Sequence, residues 1–345
     1  MELIKRKKWV DFGKGISIFL VLLFHSEEYY SNGDFSLSFI FSFFRMPFFF
    51  FISGYLFTSD YKNFSIRRKL KQIFRGIVWT YLIFTSIIVI PKCISNGVPI
   101  INGVKDILLG WAAWFVAALG VAQLMFAVIL YKVKNLKVIL GIILLYLIMG
   151  YYIKYIDIDK WPFHFEKSVL VVFYLGLGFF YRIYEHKLEK IINWKYLILA
   201  GFIYFSLVAN EFLVIKTTYN VFWGGEYKNY PLFILYSLAG VLFMLLFVKC
   251  LKPLKMFCFI GANSLVFYYI NGGTIKILKY IFNKVGLQEL NLGYLGTLFM
   301  LFCSIACISV VVLFIRKYCP IVIGDKVAFN NFFGKKLNAC KKESF

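Results

Sequence analysis

The sequence predicts an all-α membrane protein, a polytopic helical bundle of about ten transmembrane helices with both termini cytoplasmic. Three observations predict it. Hydrophobic residues make up 61% of the 345-residue chain and charged residues only 16%, against about 45–50% and about 25% in a soluble domain. Apolar runs close to the length that crosses a bilayer, about 20 residues, recur from one end of the chain to the other. The basic residues cluster in short segments between those runs, in the alternating pattern of cytoplasmic loops.

In chain order the apolar runs cover 9–30, 37–57, 76–95, 111–131, 138–153, 168–184, 196–215, 230–248, 256–275 and 292–315. The first is interrupted by Asp11, Lys14 and His25. The second, "FIFSFFRMPFFFFISGYLF", contains Arg45 and Pro47, and a proline there is expected to kink or break the helix. The next six runs are plainer. The ninth, "MFCFIGANSLVFYYINGGTI", carries Gly, Asn and Ser throughout. With a cytoplasmic N-terminus, the inside segments (1–8, 62–75, 132–137, 182–195, 249–255, 316–345) hold 27 Lys/Arg. The outside loops (92–110, 154–167, 216–229, 276–291) hold 10. That bias sets both termini inside and favours an even number of spans. No Gly/Ser or Pro linker divides the chain, so residues 1–345 read as one membrane domain with a basic tail at 316–345. The N-terminal run lacks a small-residue cleavage site and reads as a retained first helix of an inner (plasma) membrane, multi-pass protein.

Composition also narrows the partners. A net charge of +22 would suit nucleic acid, but the basic residues lie between spans and no nucleic-acid motif is present, so no such partner is expected. None of the seven cysteines forms a CxxC pair. Cys303 and Cys307 share a helix face with no His or acidic partner nearby, so no metal is expected. Trp161 and Trp223, in "YIDIDKWPFHFEK" and "TTYNVFWGGEYKNY", read either as an interfacial aromatic belt or as a rim on which sugars stack. His164 and His186 read as solvated loop histidines.

Ionisable groups inside a span cost about 2.5–3.5 kcal/mol even on lenient insertion scales, so they raise functional hypotheses first. Lys14 and His25 stand eleven residues apart. At 100° per residue they share nearly one helix face, about 16 Å apart along the axis. Asp11, one turn before Lys14, can pair with it. The bland alternatives are a lysine that snorkels to the inner interface and a histidine satisfied in the core. Arg45 lies deep in its run and keeps its charge, so it must face a polar interior and an anion, unless the span starts late, near 46–61. Ser53-Gly54 allows another backbone to approach closely.

Four stretches in order carry a resemblance: Lys14-x10-His25 within "WVDFGKGISIFLVLLFHS", "FRMPFFFFISGYLF", "AAWFVAALG" at 112–120 and "IGANSLVFYYIN" at 260–271. Together they resemble the membrane acyltransferase-3 family, and the opening is similar to its fucose O-acetylase-like branch. The resemblance implies an integral membrane enzyme that moves an acyl group, commonly acetyl, from cytoplasmic acetyl-CoA. The acceptor it implies is a hydroxyl of a cell-envelope polysaccharide or lipid-linked sugar. Acetyl-CoA is then a substrate, with no permanently bound cofactor. By position, His25 matches the family's essential histidine, Lys14 its basic partner, and Ser53 and Gly54 its Phe-Phe-x-x-Ser-Gly motif. Two departures stand out. Arg45 occupies a place where related sequences often have His, and Asn271 one where many have a final histidine.

Acyl transfer to a hydroxyl needs a base, oxyanion donors and a grip on the charged donor. His25, alone among the histidines in falling within an expected span, is the expected general base. Glu27 or Glu28 would fix its tautomer, and the i+3 spacing favours Glu28. Lys14 and Arg45 are candidates for the CoA phosphates or the oxyanion, with Ser53 and Gly54 beside the donor. Asp11, Glu27, Trp114, Asn263, Ser264 and Asn271 are expected on the substrate side. The basic loop "KNFSIRRKLKQIFR" could attract CoA, although the positive-inside bias already explains it. A different class remains open, a transporter or flippase for an anionic or lipid-linked glycan, with His25 relaying protons. No inverted repeat is evident between the two halves.

Overall fold

The computed structural model describes residues 7–30, 37–58, 60–156, 158, 161–215, 229–286 and 293–333. The described residues are 87% helix, with no strand among them. In order the helices are α1 (Lys8–Tyr30), α2 (Leu37–Ile40), α3 (Ser42–Tyr55), α4 (Ile66–Ile73), α5 (Trp79–Ser95), α6 (Ile100–Leu108) and α7 (Trp114–Lys132). They continue as α8 (Leu136–Tyr152), α9 (Phe165–Leu188), α10 (Trp194–Asn210), α11 (Tyr230–Cys250), α12 (Lys255–Ala262), α13 (Ser264–Lys284) and α14 (Gly293–Tyr318). A π-helical turn at Phe74–Val78 joins α4 to α5 in one rod. Trp223, Cys340 and the tail beyond Phe333 lie outside the described residues.

Seven described helices are long and apolar enough to cross a membrane: Lys8–Glu28, Ile66–Ser95, Trp114–Lys132, Pro162–Ile191, Trp194–Ile215, Tyr230–Cys250 and Gly293–Tyr318. The expected ten is therefore not reached by full-length spans, for three physical reasons. The apolar helix α8 has 17 residues, just short of a span. The run at 37–57 divides at Phe41, and α3 keeps only 14 residues. At 1.5 Å per residue α3 is about 21 Å long, less than a bilayer core of about 30 Å. The ninth run divides at Asn263, between α12 and α13. Pro47 does not break its helix, since α3 continues through it and the interruption falls at Phe41.

All residues of α3 are buried, and it forms the bundle's axis against α9, α11 and α1. A Cβ at Gly54 would stand 1.9 Å from the Leu175 carbonyl oxygen, and one at Gly178 would stand 1.8 Å from that of Phe51. The two glycines thus form a reciprocal backbone contact between α3 and α9. Gly15 and Gly261 do the same for α1 and α12, facing the carbonyls of Phe257 and Asp11 at 1.8 Å each. Aromatic rings fill the spaces between, with Phe49 and Phe50 both packed on Phe115 of α7. Large apolar side chains such as Phe202, Val214 and Leu295, each 72% exposed, cover the outer surface, as a lipid-facing exterior requires.

Candidate functional site

Two polar clusters occupy the two ends of α1. The first surrounds a cavity of about 720 Å³ at the end of the bundle where the basic loops gather. Asp11, Lys14, Ser53, Asn263 and Ser264, all named on sequence grounds, line it together. The Lys14 ammonium lies 5.5 Å from the Phe49 ring centre. Ser53 Oγ donates to the Phe49 carbonyl at 2.9 Å, which ties the hydroxyl to its own helix. Asn263 Nδ2 donates to the Phe259 carbonyl at 2.7 Å and holds the break between α12 and α13. That break delivers the first turn of α13 to the cavity wall, and a helix N-terminus carries partial positive charge suited to an anion.

The second cluster lies three turns further along α1. His25 Nδ1 meets Glu28 Oε2 at 3.1 Å, the i+3 partnership expected of this pair. Arg45 is buried and within electrostatic reach of both His25 and Glu27. Its guanidinium carbon sits 4.4 Å from the Phe24 ring centre, and Nη1 has no hydrogen-bond partner among the described residues. Arg45 therefore belongs to the interior and does not snorkel outward. Glu27, only 4% exposed, accepts from the Tyr294 hydroxyl at 2.6 Å and from the Ser38 backbone N–H at 3.2 and 3.3 Å. It is fixed by α14 and α2, leaving Glu28 as the group that orients His25.

The other named residues fall elsewhere. Neither His25 nor Arg45 lines the cavity. Gly54 lies against the α9 backbone, so its place in the fold is the helix crossing. Trp114 opens α7 with the Lys167 ammonium 5.5 Å from its ring and does not line the cavity. Asn271 is buried on α13, and its Oδ1 has no hydrogen-bond partner among the described residues. His164 is not a freely solvated loop histidine, because Nδ1 lies 3.5 Å from Glu166 Oε1 and the residue takes a left-handed φ of 53°. No group of three potential metal ligands occurs among the described residues.

Two features escaped sequence reasoning. Tyr294 reaches Glu27 from 267 positions away, and no local pattern signals such a pair. Glu185, at the basic end, collects Lys7, Lys249 and Tyr55. A carboxylate in a basic loop was the available signal there.

The multi-pass helical bundle thus holds an imidazole–carboxylate pair beside a buried arginine, and a cavity at its basic end. Residues 7–316 match the acyltransferase domain of the acyltransferase-3 family, and the chain belongs to that family. It is a membrane acyltransferase. No curated protein and no solved structure matches the sequence.

Proposed function

We propose that the protein is an O-acyltransferase of the inner, plasma membrane. It moves acetyl from acetyl-CoA to a hydroxyl of a cell-envelope polysaccharide or lipid-linked sugar. Both termini and the basic end of the bundle face the cytoplasm, so the donor enters the cavity from there. Acetyl-CoA is a substrate, and no resident cofactor is invoked. The observation that carries the reading is the contact between His25 Nδ1 and Glu28, beside the buried Arg45, on a helix whose other end borders the cavity.

With Glu28 accepting from Nδ1–H, Nε2 is left as the base. Nε2 takes the acceptor's hydroxyl proton as that oxygen attacks the thioester carbonyl carbon. The C–S bond then breaks, and the proton returns to the departing sulfur, leaving an acetyl ester and the free thiol of CoA. Arg45 Nη1, without a hydrogen-bond partner among the described residues, supplies a donor for the oxyanion. Lys14 and the first turn of α13 hold the donor in the cavity. The acyl-bearing arm then extends along α1 past Ser17 and Asn271, buried groups whose side-chain oxygens have no hydrogen-bond partner among the described residues.

The cell-level test is mass spectrometry of envelope glycans from cells with and without the gene. The expected result is an acetyl increment on a glycan that appears only with the gene. An unmodified glycan that merely changes sides of the membrane would refute acyl transfer and support transport.

A further inference from the structure

Four segments converge on one carboxylate at the basic end of the bundle. Glu185 of α9 accepts from Lys249 through Oε1 at 2.7 Å, and from Lys7 and Tyr55 through Oε2, each at 2.7 Å. Arg182, one turn earlier, donates to the Tyr55 hydroxyl at 2.6 Å and lies 3.5 Å from Glu185. Aromatic faces surround the charges. Lys249 Nζ is 4.9 Å from the Trp9 ring centre, and Arg182 Cζ is 4.9 Å from that of Tyr55.

A structural clamp between α1, α3, α9 and α11 accounts for Glu185, but not for the number of cations. One carboxylate against Lys7, Arg182 and Lys249 leaves a formal excess of two positive charges. The side chains of Arg182 and Lys249 are only 24% and 12% exposed, so water solvates that excess poorly. The placement is informative too, because Lys7, Tyr55 and Arg182 line the same cavity as Lys14 and Ser264.

We infer that Lys7 and Arg182, held in place by Glu185 with Lys249 behind them on its other oxygen, form a subsite for a dianionic phosphate monoester at the cavity mouth. A phosphomonoester carries about −1.5 to −2 near neutral pH, matching the excess, whereas a lipid phosphodiester carries about half of that. The guanidinium fork of Arg182 suits two phosphate oxygens, and Lys7 adds a mobile point charge. This inference rests on the proposed donor, whose nucleotide end carries such a group as its 3′-phosphate. It gives the cavity a direction, with the nucleotide at the mouth and the thioester arm inward past Lys14.

The test uses the full-length protein in detergent, titrated with CoA, dephospho-CoA and adenosine 3′,5′-bisphosphate. The wild type should bind CoA about tenfold or more tightly than dephospho-CoA, the loss expected for one charge-assisted contact set. Adenosine 3′,5′-bisphosphate should compete with CoA. In Arg182→Gln the CoA preference should fall towards one while dephospho-CoA affinity holds. Equal wild-type affinity for CoA and dephospho-CoA overturns the subsite and leaves the donor assignment standing. Binding of the bisphosphate without binding of either CoA form supports the subsite and overturns the donor assignment. Displacement of the bisphosphate by phosphatidylglycerol vesicles at matched phosphate overturns the nucleotide source in favour of a lipid headgroup. The wild-type comparison decides the matter even if Arg182→Gln fails to fold.

Discussion

Replacing Gly54 by alanine tests how the bundle is held together where the cavity begins. The new Cβ would stand 1.9 Å from the Leu175 carbonyl oxygen, while ordinary contact begins near 3.4 Å. α3 and α9 must therefore part by about 1.5 Å (3.4 minus 1.9) at that point. The obstructing atoms are backbone, so no side chain can rotate away. Overpacking typically costs about 1–3 kcal/mol, and a rigid backbone obstacle places this variant near the top of that range. At about 3 kcal/mol the detergent-solubilised protein should lose roughly 5–10 °C in thermal midpoint. Adding Gly178→Ala should cost less than it does alone, because the two glycines share one crossing and the helices have already separated. Gly141→Ala is the control, since nothing lies within 4 Å of its Cβ position; it should be neutral or slightly stabilising. A Gly54→Ala protein with wild-type midpoint, or strictly additive losses in the double variant, would refute the reciprocal crossing.

Three further outcomes follow from other contacts. Glu28→Gln should slow acyl transfer about three- to tenfold, because a neutral amide can still accept from Nδ1–H but the charge assistance is lost and the pair is partly solvent-exposed; steady-state rates check this. Tyr294→Phe removes the hydroxyl that binds Glu27 at 2.6 Å, and a drop in stability of about 1.5 kcal/mol should appear as a lower unfolding midpoint. Gly324→Ala places a Cβ 2.3 Å from the Arg75 carbonyl oxygen at a φ of +66°. It should loosen the C-terminal segment that Trp79 Nε1 holds through the Ile321 carbonyl at 2.9 Å. Faster limited proteolysis near that segment, with the rest of the chain resistant, is the expected reading.

Composition and charge bias were sufficient for the helical membrane class, because burial in lipid leaves few other ways to satisfy a backbone. The count of spans was not legible. α3 is largely apolar yet too short to span, and its division at Phe41 has no strong local signal. Helical periodicity located the site best. It put Lys14 and His25 on one face, and it placed Glu28 on His25, the contact observed at 3.1 Å. It also marked Ser53-Gly54 as a close approach, which the Leu175 contact bears out. Asn263 and Ser264, expected on the substrate side, share one cavity with Lys14 and Ser53, expected on the donor side. Trp114 does not line the cavity, since a motif shared in sequence does not locate a ring in space. Lys7 and Lys249 resembled ordinary topology-setting charges, and their meeting at Glu185 depends on how α1, α9 and α11 close at one end.

The central claim is that the imidazole of His25 performs proton transfer in acyl transfer. Radiolabelled acetyl-CoA added to membranes should label an envelope glycan. His25→Ala should lower that rate by about 10²–10⁴-fold at unchanged protein level and unchanged thermal midpoint. Retention of wild-type labelling by a folded His25→Ala protein would contradict the account.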